Sequence, residues 1–282
     1  MYNDLFSIGP FTVHTYGLMI AIGVLAALFT AERRAPQNGV DKDAMFGLTM
    51  YCVITGIFGA KVLFCIVNWK EFFQNPMALL GSEGLVVYGG IIGGILCAIL
   101  YCKIQKLNFW DCFDVALPSV AVAQGFGRIG CFFAGCCYGM ETKAWYGIAF
   151  SHSNFAPNGV KMIPTQLLSS AGMFMIAGIL FWYAYHAKKA GQIGAAYMVI
   201  YSIGRFGMEF LRGDIGRGSV GTLSTSQFIS LFIVAAGVML WILRGRSQGE
   251  RLQAKLYAEK KAQIQATAEE DKKAEDDEKS EE

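Results

Sequence analysis

Residues 110–133 read WDCFDVALPSVAVAQGFGRIGCFF, an apolar run that sets Arg128 near its end among glycines and aromatics. About 20 mainly apolar residues are enough to cross the hydrocarbon of a bilayer, so this stretch reads as a membrane-spanning helix. An ionisable side chain there costs roughly 2.5 kcal/mol or more and normally faces a cavity, a partner or a ligand. The overlapping stretch QGFGRIGCFFAGCCYG, residues 124–139, adds Cys131, Cys136 and Cys137 around the same arginine. Arg128 is therefore read as an anion site within the membrane, with a lipid phosphate as the abundant anion at that depth.

Six further runs of comparable length lie to either side, at 13–31, 45–67, 85–103, 164–185, 194–211 and 223–243. With 54% hydrophobic and only 16% charged residues, most of the charges lying between the runs, the chain reads as an all-α polytopic membrane protein of seven transmembrane helices in one bundle. Residues 1–243 form that membrane domain, and 244–282 a helix-forming and then acidic disordered tail. From Glu269 on, nine acidic residues stand against three lysines, a net charge of about −6. The overall charge of +2 is thus a sum of basic loops and an acidic tail, and carries no nucleic-acid signal. MYNDLFSIGPF at the start has no Lys or Arg, so it lacks the basic region of a cleavable signal peptide and the first span is expected to be retained.

Lys and Arg concentrate on cytoplasmic connections. They cluster after the first, third, fifth and seventh spans, at Arg33 and Arg34, Lys103 and Lys106, Lys188 and Lys189, then Arg244, Arg246 and Arg251. This predicts an external N-terminus and a cytoplasmic C-terminus. In that orientation Arg128 sits near the outer end of the fourth span. Arg205 lies about eleven residues, or roughly 16 Å, along the sixth. His14, Tyr16, Tyr88 and Gln166 begin the first, third and fifth spans at the same level. Each has a plain alternative, since arginines snorkel and tyrosines line interfaces, but neither habit predicts Arg, Gln, His and Tyr from separate helices at one depth. Lys61 on the second span has a matching depth, and either lines the same cavity or snorkels. Glycines at 56, 59, 89, 90, 93 and 94 provide for close helix packing, and Gly89 and Gly90 also offer exposed amides. The external connection 140–163, with Trp145, Tyr146 and His152, is read as an interfacial lid or a substrate-facing segment.

Two guanidiniums at one level suit a phosphate held through forked hydrogen bonds, and would stabilise a leaving phosphate as its bond breaks. His14 and Tyr88 are the local candidates for base or proton relay. Tyr201 and Arg205 share a helix face, and Glu209 either balances the arginines or forms a structural ion pair with Arg205 or Arg212. Cys131, Cys136 and Cys137 allow a disulfide, a soft-metal site or simple packing. Three thiols lack the fourth ligand of a structural zinc site, and no metal or cofactor is expected.

The motifs GRIGCFFAGCCYG (127–139) and YSIGRFGMEFLRGD (201–214) resemble the signature of the bacterial prolipoprotein diacylglyceryl transferase family. HTYGLM, GAKVLF, YGGIIGG, PTQL and LSTSQFIS follow in the family's order, so the resemblance covers residues 12–243. It implies seven helices in the bacterial cytoplasmic membrane with an external N-terminus. It also implies transfer of diacylglyceryl from phosphatidylglycerol to the lipobox cysteine thiol of a preprolipoprotein, with glycerol phosphate released. Under it Arg128 and Arg205 match the essential arginines, Tyr201 the tyrosine one turn before the second arginine, and Gly127 and Gly130 the signature glycines. Tyr88, Cys131, Cys136 and Lys61 stand where the family usually has His, Asn, Glu and Arg. Two other readings are a paralogue acting on another phospholipid or acceptor, and a lipid-binding protein without catalysis.

Overall fold

The computed structural model describes residues 4–8, 11–81, 84–151, 153, 155–213 and 219–246. The expected tail beyond 246 and His152 lie outside them. A hairpin of β1 (Asp4–Ile8) and β2 (Phe11–His14) leads into α1 (Thr15–Arg34), so the chain before Thr15 is strand where the first span was expected to have begun. There follow α2 (Lys42–Val67), the short α3 (Trp69–Gln74) and α4 (Pro76–Gly81), α5 (Val87–Ile104) and α6 (Phe109–Ala134). The pair β3 (Ile148–Ala149) and β4 (Lys161–Met162) lies in the connection to α7 (Thr165–Ala184) and α8 (Gln192–Glu209). A last pair, β5 (Ser219–Val220) and β6 (Leu223–Ser224), precedes α9 (Thr225–Gly245).

Among the described residues six helices, α1, α2, α5, α6, α7 and α9, are long and apolar enough to cross a membrane, which makes this a multi-pass membrane protein. Their outward faces are apolar, with Leu25, Phe58 and Met239 each more than 60% exposed, as lipid contact requires. α8 occupies the remaining expected span but is not among the six. Gln192, Arg205, Glu209 and its glycines dilute the hydrophobicity that the others have, and of these Gly204, Arg205 and Gly207 line a cavity.

The helix starts are written locally. The Asp41 carboxylate accepts the Ala44 amide at 3.0 Å ahead of α2, and the Asn108 side chain accepts Trp110 N at 3.1 Å ahead of α6. Ser224 and Gln227 form a reciprocal capping box on α9. Packing pairs α2 with α5, α1 with α6, α6 with α7, and α8 with α9. Along the first seam a Cβ on Gly59 would stand 2.5 Å from the Gly89 carbonyl oxygen, so backbone meets backbone as the glycine spacing predicts. Gly89 and Gly90 therefore face α2 rather than a cavity.

At the end of the bundle where α1, α7 and α9 finish, polar groups bind the elements together. The fully buried Asp114 of α6 accepts the amides of Gly191 and Gly194, both at 2.8 Å, and so caps α8 from another helix. Arg34 Nη1 donates to Val115 O at 3.1 Å, and Arg244 Nε donates to Ala190 O at 2.7 Å while lying over the Trp110 ring. Further along the bundle, Tyr197 Oη donates to Gln124 Oε1 at 2.7 Å and Ser170 Oγ to Gly125 O at 2.9 Å, fixing α8 and α7 to α6.

Candidate active site

At the opposite end α6 closes on Gly135, whose φ of 73° turns the chain out of the helix. The next residues are stitched between the start of α7 and the end of α8. Thr165 Oγ1 donates to Cys137 O at 2.9 Å, Gln166 Nε2 to Cys136 O at 2.8 Å, Gly139 N to Ile163 O at 3.0 Å and Met140 N to Leu211 O at 3.0 Å. Beneath this knot lies a cavity of about 350 Å³ between α6, α7 and α8.

Arg128 and Arg205 both line it, with Tyr201 and Gln166. Arg205 is held from two sides: Nη2 donates to Ser226 Oγ of α9 at 2.7 Å, and Nη1 pairs with Glu209 at 2.6 Å one turn on. Glu209 is thus the ion-pair partner of Arg205, one of its two expected roles. Tyr201 stacks on Tyr197, rings 5.5 Å apart and nearly parallel. Gln166 is 1% exposed, and its bond to Cys136 O fixes which way the amide faces, leaving Oε1 an acceptor with no protein partner among the described residues. Much of the remaining wall is apolar, from Leu168, Met173, Ile176, Met208 and Leu211.

The other expected residues fall elsewhere. Gly130 receives α1, since a Cβ there would stand 3.1 Å from the Tyr16 ring, while Gly127 faces open space. Tyr16 is 41% exposed and does not line the cavity, yet it lies in the electrostatic neighbourhood of Arg128 and the three cysteines. His14, ahead of α1, and Tyr88, on α5, are exposed and are not among the residues lining the cavity. Lys61 lines a separate apolar groove with Phe58, Trp69 and Phe73, its Nζ donating to Gly84 O at 3.4 Å.

Residues 3–243 match the family model described as prolipoprotein diacylglyceryl transferase. The chain belongs to that family. Among relatives, the protein named phosphatidylglycerol--prolipoprotein diacylglyceryl transferase of Clostridium tetani is 45% identical over 84% of this chain and 95% of its own length. A Clostridium perfringens protein of the same name, with the numeral 2, is 45% identical over 85% of this chain and 95% of its own length. A Bacillus cytotoxicus relative is 31% identical over 85% and 91%.

Several residues that line the cavity were not assigned to it from the sequence. Gly204 and Gly207 of α8 line the cavity, and a Cβ on either would meet open space, so they widen the space beside Arg205. Thr165 and Arg212 line it too. Their signal was the spacing Gly204, Arg205, Gly207, Met208, which sets small residues on the face that carries the arginine. Cys137 also lines the cavity. Hydrogen bonds from Cys131 and Cys136, with the Arg212 and Arg128 charges behind them, hold its thiol below the usual thiol range.

Proposed function

We propose that this chain transfers the diacylglyceryl group of phosphatidylglycerol to the lipobox cysteine thiol of a prolipoprotein and releases glycerol phosphate. It does so in the bacterial cytoplasmic membrane as a seven-span protein with its N-terminus outside, α8 being the sixth span. Residues 1–243 are the transferase unit and 244–282 a cytoplasmic appendage.

The observation that carries this reading is that Arg128 and Arg205, from two helices, line one largely apolar cavity. Their guanidiniums fork onto the lipid phosphate, and the bonds strengthen as the carbon–oxygen bond breaks and charge collects on the leaving oxygen. Ser226 and Glu209 hold the Arg205 group in place before substrate arrives, which removes reorganisation from the reaction step. Gln166 Oε1 accepts from a hydroxyl of the glycerol headgroup, and Leu168, Met173 and Ile176 receive acyl chain. The names of the relatives, phosphatidylglycerol--prolipoprotein diacylglyceryl transferases, support this choice of donor and acceptor.

Purified protein, phosphatidylglycerol and a peptide with a lipobox cysteine test this. A thioether-linked diacylglyceryl peptide is expected, and none from Arg128→Ala. Lipid binding with no product, beside an active family member as control, would leave a lipid-binding protein instead. Turnover without the peptide would point to another acceptor.

A further inference from the structure

Outside the phosphate site, the densest group of reactive side chains is Cys131, Cys136 and Cys137, whose Sγ atoms all lie within 4.8 Å of one another. Neighbouring side chains on an extended chain point to opposite sides. Here Gly135 reverses the chain and Cys137 adopts a φ of 61°, in the left-handed region that non-glycine residues rarely occupy. Thr165 and Gln166 then hold the carbonyls of Cys137 and Cys136 from α7. The convergence is therefore built by the same bonds that form the roof of the cavity, and Cys137 lines it beside Arg128 and Arg205.

A chemical problem sits in that cavity. Thiol alkylation needs a thiolate, and a free cysteine with a pKa near 8.5 is only a few per cent ionised at neutral pH. Among the described residues that line the cavity there is no imidazole and no carboxylate. The three arginines favour an anion there, but none of them accepts a proton.

We propose that Cys131, Cys136 and Cys137 bind one thiophilic divalent ion of the zinc class, and that its fourth position receives the acceptor cysteine of the prolipoprotein. This rests on the transferase reading above. A zinc–sulfur distance of about 2.3 Å places three ligand sulfurs about 4 Å apart, inside the observed limit. Three protein ligands with one open position is the catalytic form of zinc, so the missing fourth ligand that disqualifies a structural site is what this role requires. Thiolates select such an ion over magnesium or calcium, and coordination deprotonates a thiol outright. Arg128 and Arg212 lie close enough to balance the residual negative charge of three thiolates around a dication.

The step balances. The acceptor S–H gives its proton to water on coordination. A sulfur lone pair then forms the S–C bond to the glycerol CH2 that carries the phosphate ester. The C–O bond breaks, and its electron pair leaves with glycerol phosphate on the arginines. Nothing is oxidised or reduced, and the thioether product, a weaker ligand than the thiolate, frees the open position.

The test uses the full chain in detergent. Elemental analysis is expected to find about one zinc per wild-type chain and a loss of at least tenfold in Cys131→Ser and in Cys137→Ser. With cobalt(II) in place of zinc, a thiolate charge-transfer band should grow on adding lipobox peptide and stay unchanged with its Cys→Ser version. The loaded enzyme should show a flat rate through the range where free thiols titrate. The metal-stripped enzyme should lose up to tenfold per pH unit below about 8.5. Absence of metal in wild type, a disulfide among the three cysteines by mass, a cobalt band indifferent to the peptide, or full transfer by stripped enzyme with a flat profile would each overturn the proposal and leave the transferase reading standing. A responsive cobalt band without transfer would do the reverse.

Discussion

Arg205 is held ready for the role proposed for it. Ser226 and Glu209 take two of its donors, so the group is oriented before a ligand arrives. Lysine keeps the charge but not the fork. Arg205→Lys is thus expected to bind lipid within a few-fold of wild type and to lose roughly 10²–10³ in kcat, the usual effect of removing a donor aimed at developing charge. Single-turnover rates at saturating lipid check this, and an effect confined to KM would contradict it. Gln166 makes a narrower claim. Gln166→Leu should weaken phosphatidylglycerol binding by roughly five- to tenfold, the worth of one hydrogen bond, and leave phosphatidylcholine, which has no headgroup hydroxyl, unaffected. Equal losses for both lipids would remove the headgroup contact. That Arg128, Arg205, Tyr201 and Gln166 share one cavity was legible because such side chains in hydrocarbon demand a partner. His14 and Tyr88 shared their depth, but depth does not fix the direction a helix face points. Packing does, and Tyr88 sits on α5, whose small residues are turned to α2.

α8 is the element whose placement matters most, since it carries Tyr201 and Arg205, and it is secured at its far end by Asp114. A buried carboxylate accepting two amides of a helix start combines charge-assisted bonding with the favourable end of the helix dipole. Asp114→Asn keeps the shape and removes the charge. It should destabilise the fold by about 2–4 kcal/mol, seen as a lower apparent Tm in detergent, with unchanged activity per folded molecule at low temperature. Unchanged Tm would mean that the Asn amide replaces the carboxylate fully. The sequence announced the spans through their apolar length and the α2–α5 seam through its glycine spacing. It did not announce this cap, because Asp114 and Gly191 are far apart in the chain and no local pattern links a carboxylate on one helix with amides on another. The cysteine convergence was hidden for a similar reason, as it depends on the backbone angle at Cys137 rather than on residue order.

The whole molecule has two unlike ends. One gathers Arg34, Asp114 and Arg244 into bonds that lock helices to each other; the other opens into the cavity roofed by residues 135–140 and 163–166. Basic residues stay on the cytoplasmic side because they are not translocated readily, and Lys188 and Lys189 lie at the first of these ends, beside Gly191. The cavity end should accordingly face outward, the side from which the proposed acceptor cysteine would arrive. Lys143 and Lys188 are both exposed and belong to opposite ends, so a single pair of variants decides the matter. Lys143→Cys is expected to react with a membrane-impermeant maleimide on intact spheroplasts above the background of the parent chain. Lys188→Cys should react only after permeabilisation. The reversed pattern would turn the protein over and place the phosphate site on the cytoplasmic leaflet, and labelling of both in intact cells would break the alternation of seven spans. The proposed alternation depends on α8, whose Arg205 lines the cavity and, together with its ion-pair partner Glu209, lowers the hydrophobicity that would otherwise announce a span. A protein that builds its site on one helix face has to give up apolar surface there, and for that reason the span that carries the site is the one that composition identifies least well.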